Sequence, residues 1–278
     1  MADDERTLEE VHAEIEAAAA AGRLDEATSI AAASWRRWQQ AGDGVGGRRM
    51  LRAVLEADGA PTRDRAICLY ADGLFLFRAG DQAASLERNE EALAVARAAG
   101  DPDAESLALV GLSRVAFRDG RHEEVVRLAG EARGLVADRD PAAAAAPIHM
   151  EAAGNRLLGN YDRAVELYAE SLALAQERDD PRGVAMEQHN LGHVELHRGN
   201  VDAAAALFAA RLDYARRSPD PYERAMTALN EAALAAARGE DEAARRRFDE
   251  TLHLLEADGI VLDPDDASEL DALAARFG

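Results

Sequence analysis

Residues 150–178, MEAAGNRLLGNYDRAVELYAESLALAQER, and 189–217, HNLGHVELHRGNVDAAAALFAARLDYARR, are two copies of one pattern. Aligned on Gly159 and Gly199, both place a small residue seven positions earlier (Ala152, Gly192), an alanine five positions later (Ala164, Ala204) and an aromatic nine positions later (Tyr168, Phe208). Outward from these copies the frame recurs at Gly80, Gly120 and Gly239, with Gly73, Ser113 and Ala232 before them and Asn89, Ala129 and Phe248 after them. Prolines keep the same period: Pro61, Pro102, Pro141, Pro181 and Pro221 recur every 39 to 41 residues, each 18 or 19 residues before its glycine. Proline suits the first helical position, where no N–H is needed, and glycine supplies the left-handed residue that closes a helix. Each Pro-to-Gly interval is therefore predicted to be one helix, over 62–79, 102–119, 141–158, 181–198 and 221–238, with a second helix before the next proline. A helix pair repeated at fixed period cannot bury its apolar face alone, so the pairs stack into an all-α solenoid. Small residues where two helices cross, with a bulky one filling the next layer, serve that packing.

The ends depart from the period. Gly22, with Ala27 five residues on, reads as a further hinge, so residues 5–41 are predicted as an N-terminal helix pair. The segment GDGVGGRRMLRAVLEADG, 42–59, adds a glycine-rich turn and a short helix. Pro264 opens DDASELDALAARF, predicted as a single amphipathic capping helix of the kind a solenoid end needs. The expected organisation is 1–60 as an N-terminal pair plus the extra helix, 61–258 as five tandem pairs and 259–278 as the cap, in one elongated domain.

Composition excludes several function classes. The apolar fraction is 48% but aromatics are only 5%, so alanine carries much of the core, which suits close helix packing. A net charge of −21 repels phosphate backbones and anionic lipid, so neither nucleic acid nor membrane is an expected partner. The chain has no lysine, which removes Schiff-base chemistry and the phosphate-loop lysine. One cysteine, Cys68, precludes an intramolecular disulfide and a cysteine metal site, and its neighbours Ile67 and Leu69 mark it as a buried hydrophobe. The acidic N-terminus has no apolar h-region, so a cytoplasmic location is expected. No catalytic motif or phosphate-binding loop occurs; paired carboxylates fall in loops and at helix starts, where they complement the helix dipole. No enzymatic activity and no cofactor are expected.

The two quoted copies resemble tetratricopeptide repeats in the Leu-Gly pair of the second, the hinge glycine, the alanine five residues on and the aromatic after it. The period near 40 and the endings ALAQERDDP and ALAVARAAGDP are similar to the long-helix repeats in the C-terminal halves of actinobacterial transcriptional regulators and signalling ATPases. The resemblance covers residues 61 to 258 and implies a right-handed superhelix that binds a protein or peptide along its concave face. It further implies that positions 13, 10, 6, 3 and 2 before each hinge glycine point into that groove. Those positions include Tyr70, Phe77, Arg78, Arg114, Phe117, Arg118, His149, Arg156, His189, His193 and His197.

On a chain of net charge −21 the groove positions hold four arginines, four histidines and no carboxylate. A groove stripped of acid on an acidic protein points to an acidic peptide or protein segment as partner, focused by low-dielectric walls. A small anionic ligand near Arg114, Arg118, Arg156 and the histidines is the alternative. The bland account is that the apolar positions pack on second helices while the arginines snorkel. His189, His193 and His197, at i, i+4 and i+8, share one helix face, which fits partner contact, a solvated face, or metal ligation if a third ligand lies close. Asn190 and Asn230, nine residues before their glycines, correspond to the asparagine that holds peptide main chain in peptide-binding members of the family, through an amide offering both donor and acceptor. Trp35 and Trp38 are expected to pack the N-terminal pair.

Overall fold

The computed structural model describes residues 6–56, 59–140 and 142–277. Among them the chain forms fourteen α-helices and no strand: α1 (Leu8–Ala20), α2 (Leu24–Gln40), α3 (Gly44–Leu55), α4 (Arg63–Arg78), α5 (Gln82–Ala99), α6 (Pro102–Arg118), α7 (His122–Val136), α8 (Ala145–Leu157), α9 (Tyr161–Glu177), α10 (Pro181–His197), α11 (Val201–Arg217), α12 (Pro221–Ala237), α13 (Asp241–Asp258) and α14 (Pro264–Phe277).

The punctuation works as local chemistry dictates. Pro102, Pro181, Pro221 and Pro264 each open a helix, and the aspartate before Pro181 caps it by accepting from Gly183 N at 2.9 Å. All five hinge glycines are left-handed, with φ between +72° and +83°. At Gly199 the turn closes through Gly199 N to Leu196 O (3.0 Å) and Asn200 N to Glu195 O (2.8 Å), which satisfies carbonyls the helix end would leave bare.

Two predicted helix starts shift, and in both places a neighbouring residue decides. Pro61 lies ahead of α4, because Thr62 caps that helix by accepting from Arg65 N. Pro141 lies outside the described residues, and α8 begins at Ala145. Pro147 explains the delay: within a helix begun at 141 its missing N–H and its ring would break the ladder, whereas in the first turn of α8 no N–H is needed.

By contacts the chain divides into two compact units, residues 1–115 with 131–139 and residues 116–130 with 140–278. In the first, a core of Val11, Ile15, Trp38, Leu51, Leu69 and Tyr70 joins the N-terminal helices to α4 and α5, and Trp35 and Trp38 are buried in it. In the second, α8 to α13 form successive antiparallel pairs in which α10 packs on both α9 and α11, and α14 packs on α8, α12 and α13. The small positions are steric: a Cβ at Gly192 would stand 2.2 Å from the Phe208 ring, so α10 and α11 can approach only because no side chain intervenes. Asn89 takes the aromatic position in the first repeat, and a Cβ at Gly73 or Gly111 would strike its amide.

Candidate binding surface

The first helices of the second unit, α8, α10 and α12, bring a set of polar side chains to one buried place, and α14 meets them with acid. Arg156, 3% exposed, donates to Asn190 Oδ1 (2.9 Å), Asp265 Oδ2 (3.1 Å) and Glu269 Oε1 (2.8 Å). His197 Nε2 lies 2.7 Å from the same Glu269 oxygen, and His193 Nδ1 is 3.4 Å from Glu269 Oε2. Asp266 is held by His189 Nε2 at 2.7 Å and by the Tyr222 hydroxyl, which donates at 2.6 Å. At the edge, Arg118 donates to Asp263 at 3.0 Å, and Tyr161 stacks flat on the His197 ring with centroids 4.9 Å apart.

The tautomers follow from these contacts. An ionised carboxylate only accepts, so His189 and His197 present Nε2–H to it, and His189 Nδ1 is left as an acceptor. With the Asn230 amide turned so that its NH2 faces the imidazoles, it donates to His189 Nδ1 (2.9 Å) and His193 Nε2 (2.8 Å). Its carbonyl then accepts from Arg211 Nη1 (3.1 Å), and Arg211 in turn pairs with Glu223.

The electrostatics are uneven. Burial pushes the Glu269 carboxyl up, but His193, His197 and Arg156 outweigh it and hold the group well below its usual range. Asp266 behaves likewise, with burial opposed by His189, Arg156 and the Tyr222 bond. Asp265 is pushed up to about 6 by burial and by Asp266, against the pull of Arg156. Burial lowers His193, with Glu269 opposing. Burial also works against the charge on Arg156, yet Asp265 and Glu269 raise its affinity for the proton overall.

No family model matches the chain, and no curated protein sequence matches it. Solved structures do. A Rap protein complexed with Competence and Sporulation Factor superposes with a TM-score of 0.65 at 12% identity, covering 97% of this chain and 80% of that one. NprR in complex with its cognate peptide NprX gives 0.62 at 15%, covering 98% and 84%. BtubC from P. vanneervenii gives 0.58 at 20%, covering 91% and 94%. The chain has the tetratricopeptide-repeat fold. At these identities the likeness concerns fold alone.

Placed on the tetratricopeptide frame, the candidates fall into two groups. Arg156, His189, Asn190, His193, His197 and Asn230 share the network above, with Arg118 at its edge and Phe117 buried one residue before it. His149 stands beside that network, its Nδ1 3.0 Å from buried Glu187, which also accepts from Ser171 (2.6 Å), and it helps Arg156 oppose the upward push on Asp265. The others belong to the first unit: Tyr70 is buried edge-on to Trp35 and accepts from Arg114 at 3.0 Å, Phe77 is half-buried and Arg78 is exposed.

The expectation of an acid-free groove is corrected. The first-helix positions are basic as expected, but Asp263, Asp265, Asp266 and Glu269 fill their neighbourhood from α14 and the turn before it. The missed residues, these four with Tyr222, Arg211 and Glu187, left one usable signal: Asp-Asp-x-x-Glu at 265–269 places three acids on adjoining faces of a nominal cap. Asp266 meets His189, and Glu269 meets His193 and His197 through different oxygens; among the described residues no group of three or more His, Cys, Asp or Glu could hold a metal ion. No helix of the described residues is long and apolar enough to cross a membrane.

Proposed function

We propose that this chain is a non-catalytic scaffold that holds an acidic protein or peptide segment on the face made by α8, α10 and α12. One observation carries this: Arg156, His189, His193 and His197 come from repeat helices, yet their partners are carboxylates supplied by a separate segment. A buried guanidinium and imidazole N–H groups aimed at acid from outside their own helices are what an acid-binding face requires. The peptide and factor complexes formed by NprR and the Rap protein support a peptide or protein as partner class. The net charge of −21 supports a soluble, cytoplasmic protein that avoids nucleic acid and anionic membrane.

The test is titration of the full-length chain with helical peptides of equal length that differ only in charge. Acidic peptides bind, neutral and basic ones do not, and Arg118→Glu with His197→Glu at the edge of the face weakens the acidic ones. Charge-indifferent binding, or no effect of the two substitutions, refutes the function.

A different place favours the small anionic ligand. A cleft of about 700 Å³ in the first unit is lined by Arg48, Arg49, Arg52 and Arg78 beside Trp38 and Phe75, with Glu56 as its one acid. Calorimetry with an aryl phosphate on wild type and on Arg49→Glu/Arg52→Glu decides whether that cleft takes an anion with an apolar body.

A further inference from the structure

α14 has two halves of different chemistry. Its C-terminal half buries Leu273 and Phe277 in the apolar core of α12 and α13, with the Phe277 ring 6.5 Å from Phe248. Capping a solenoid asks for no more than that. Its N-terminal half buries three carboxylates within five residues, Asp265, Asp266 and Glu269. Replacing a buried ion pair by apolar residues of the same volume is often neutral or stabilising, so stability alone is a weak account of them. What they provide is a match in pattern. Asp265 and Glu269, one turn apart, both reach Arg156, while Asp266, about 100° round the helix, reaches His189 and Tyr222. The match is uneven, since Asp265 pairs with Arg156 while Glu269 pairs with Arg156, His193 and His197. The acidic half is joined to α13 by a non-helical connection from Gly259, at φ +62°, in which Val261 is 77% exposed.

We propose that this face is a seat for an acidic helix with carboxylates at i, i+1 and i+4, that α14 is its resident occupant, and that the partner binds by displacing the acidic half of α14. This rests on the function proposed above and names the partner's chemistry: a helix carrying Asp-Asp-x-x-Glu or its equivalent. The occupant is a segment of another protein, because the seat recognises charge pattern and the chain's own copy already satisfies it in cis.

The probe is a fluorescein-labelled peptide of residues 260–277, IVLDPDDASELDALAARF, with a control peptide in which the three acids are amides. Each is titrated into full-length wild type and into full-length Asp266→Asn/Glu269→Gln. Hydrogen exchange is followed at 264–277. Apparent affinity scales with the fraction of open seats, so loosening the resident raises it. The expected result is binding of the acidic peptide at least about tenfold tighter to the variant, no binding of the amide peptide, and loss of protection in α14. Equal affinity for both proteins with α14 still protected overturns the displacement while leaving acidic-segment binding intact. No binding to either protein overturns both. Exchange of α14 between two copies, seen as a concentration-dependent dimer, assigns the seat to a second copy and overturns a separate partner. Should the double variant lose helix content by circular dichroism, Glu269→Gln alone replaces it with the same expected order.

Discussion

Arg156→Met tests whether the buried network is an ion-pair system or a by-product of packing. Methionine keeps much of the apolar stem and removes a guanidinium that donates at 2.9, 3.1 and 2.8 Å to Asn190, Asp265 and Glu269. Removing one partner of a buried pair costs about 3–5 kcal/mol, because the other charge is left uncompensated. Two responses limit the loss. Glu269 retains His193 and His197, and Asp265, already pushed up to about 6 with Arg156 pulling the other way, takes a proton near pH 7. Each further unit of that shift costs about 1.4 kcal/mol. Seating of α14 is therefore expected to weaken by about 3 kcal/mol, with Asp265→Asn in the same chain restoring at least about 1.5 kcal/mol by removing the stranded carboxylate. The assay is native-state hydrogen exchange at 264–277 in wild type, both single variants and the double variant, since a chain of two units need not melt in one step. Exchange in Arg156→Met within about 0.5 kcal/mol of wild type, or an additive double variant, refutes the reasoning.

Three further outcomes are expected. Glu269 and Asp266 are held below their usual values of 4.5 and 3.8, so the released state binds more protons than the seated one; their stabilisation is present above about pH 4.5 and lost as pH falls below it, read as α14 exchange against pH. Between pH 7 and 5 Asp265, raised by burial, favours seating as it protonates, while His193, lowered by burial, disfavours it; Asp265→Asn removes the opposing gain and moves the onset of acid release to higher pH. Gly192→Ala puts a Cβ 2.2 Å from the Phe208 ring and lowers stability by about 1–3 kcal/mol, whereas Gly130→Ala in α7, with nothing within 4 Å, raises it by about 0.5–1 kcal/mol, both measured by native-state hydrogen exchange of the helices concerned. Cys68 is buried, and burial followed by Asp64 pushes its thiol up, so a thiolate-directed reagent labels it only when the chain is unfolded in denaturant.

The fold was legible because its determinants are local. A proline start and a left-handed glycine stop are decided within a few residues of backbone, and the hinge glycines adopt the positive φ that their spacing implied. Where a start moved, at α8, the cause was also local: Pro147 forbids a helix begun at 141. Arg156, His189, Asn190, His193, His197 and Asn230 come together because repeat register carries equivalent positions to one face. The charge of that face was not legible in the same way. Its acids stand 77 residues from His189 and 113 from Arg156, on a helix whose apolar half reads as an ordinary cap. Periodicity reports which residues share a helix face, and says nothing about a non-repeating segment that packs against it.

The same distinction separates the two demands placed on α14. An apolar stripe is enough to close the end of a helical stack, and Leu273 and Phe277 supply it from the last turns of the helix. The acidic half adds desolvation of three carboxylates, one arginine and the imidazoles around them, a cost that good geometry offsets without clear surplus. Charge-pattern recognition does gain from it, because a helix lacking Asp266 takes the carboxylate from His189, and one lacking Glu269 takes it from His193 and His197 together and removes one of the two that Arg156 holds, and a buried polar group left short of its partner costs more than the match gains. A face of this kind discriminates by what it leaves unsatisfied. It therefore separates acidic helices by the spacing of their carboxylates more sharply than by their total charge.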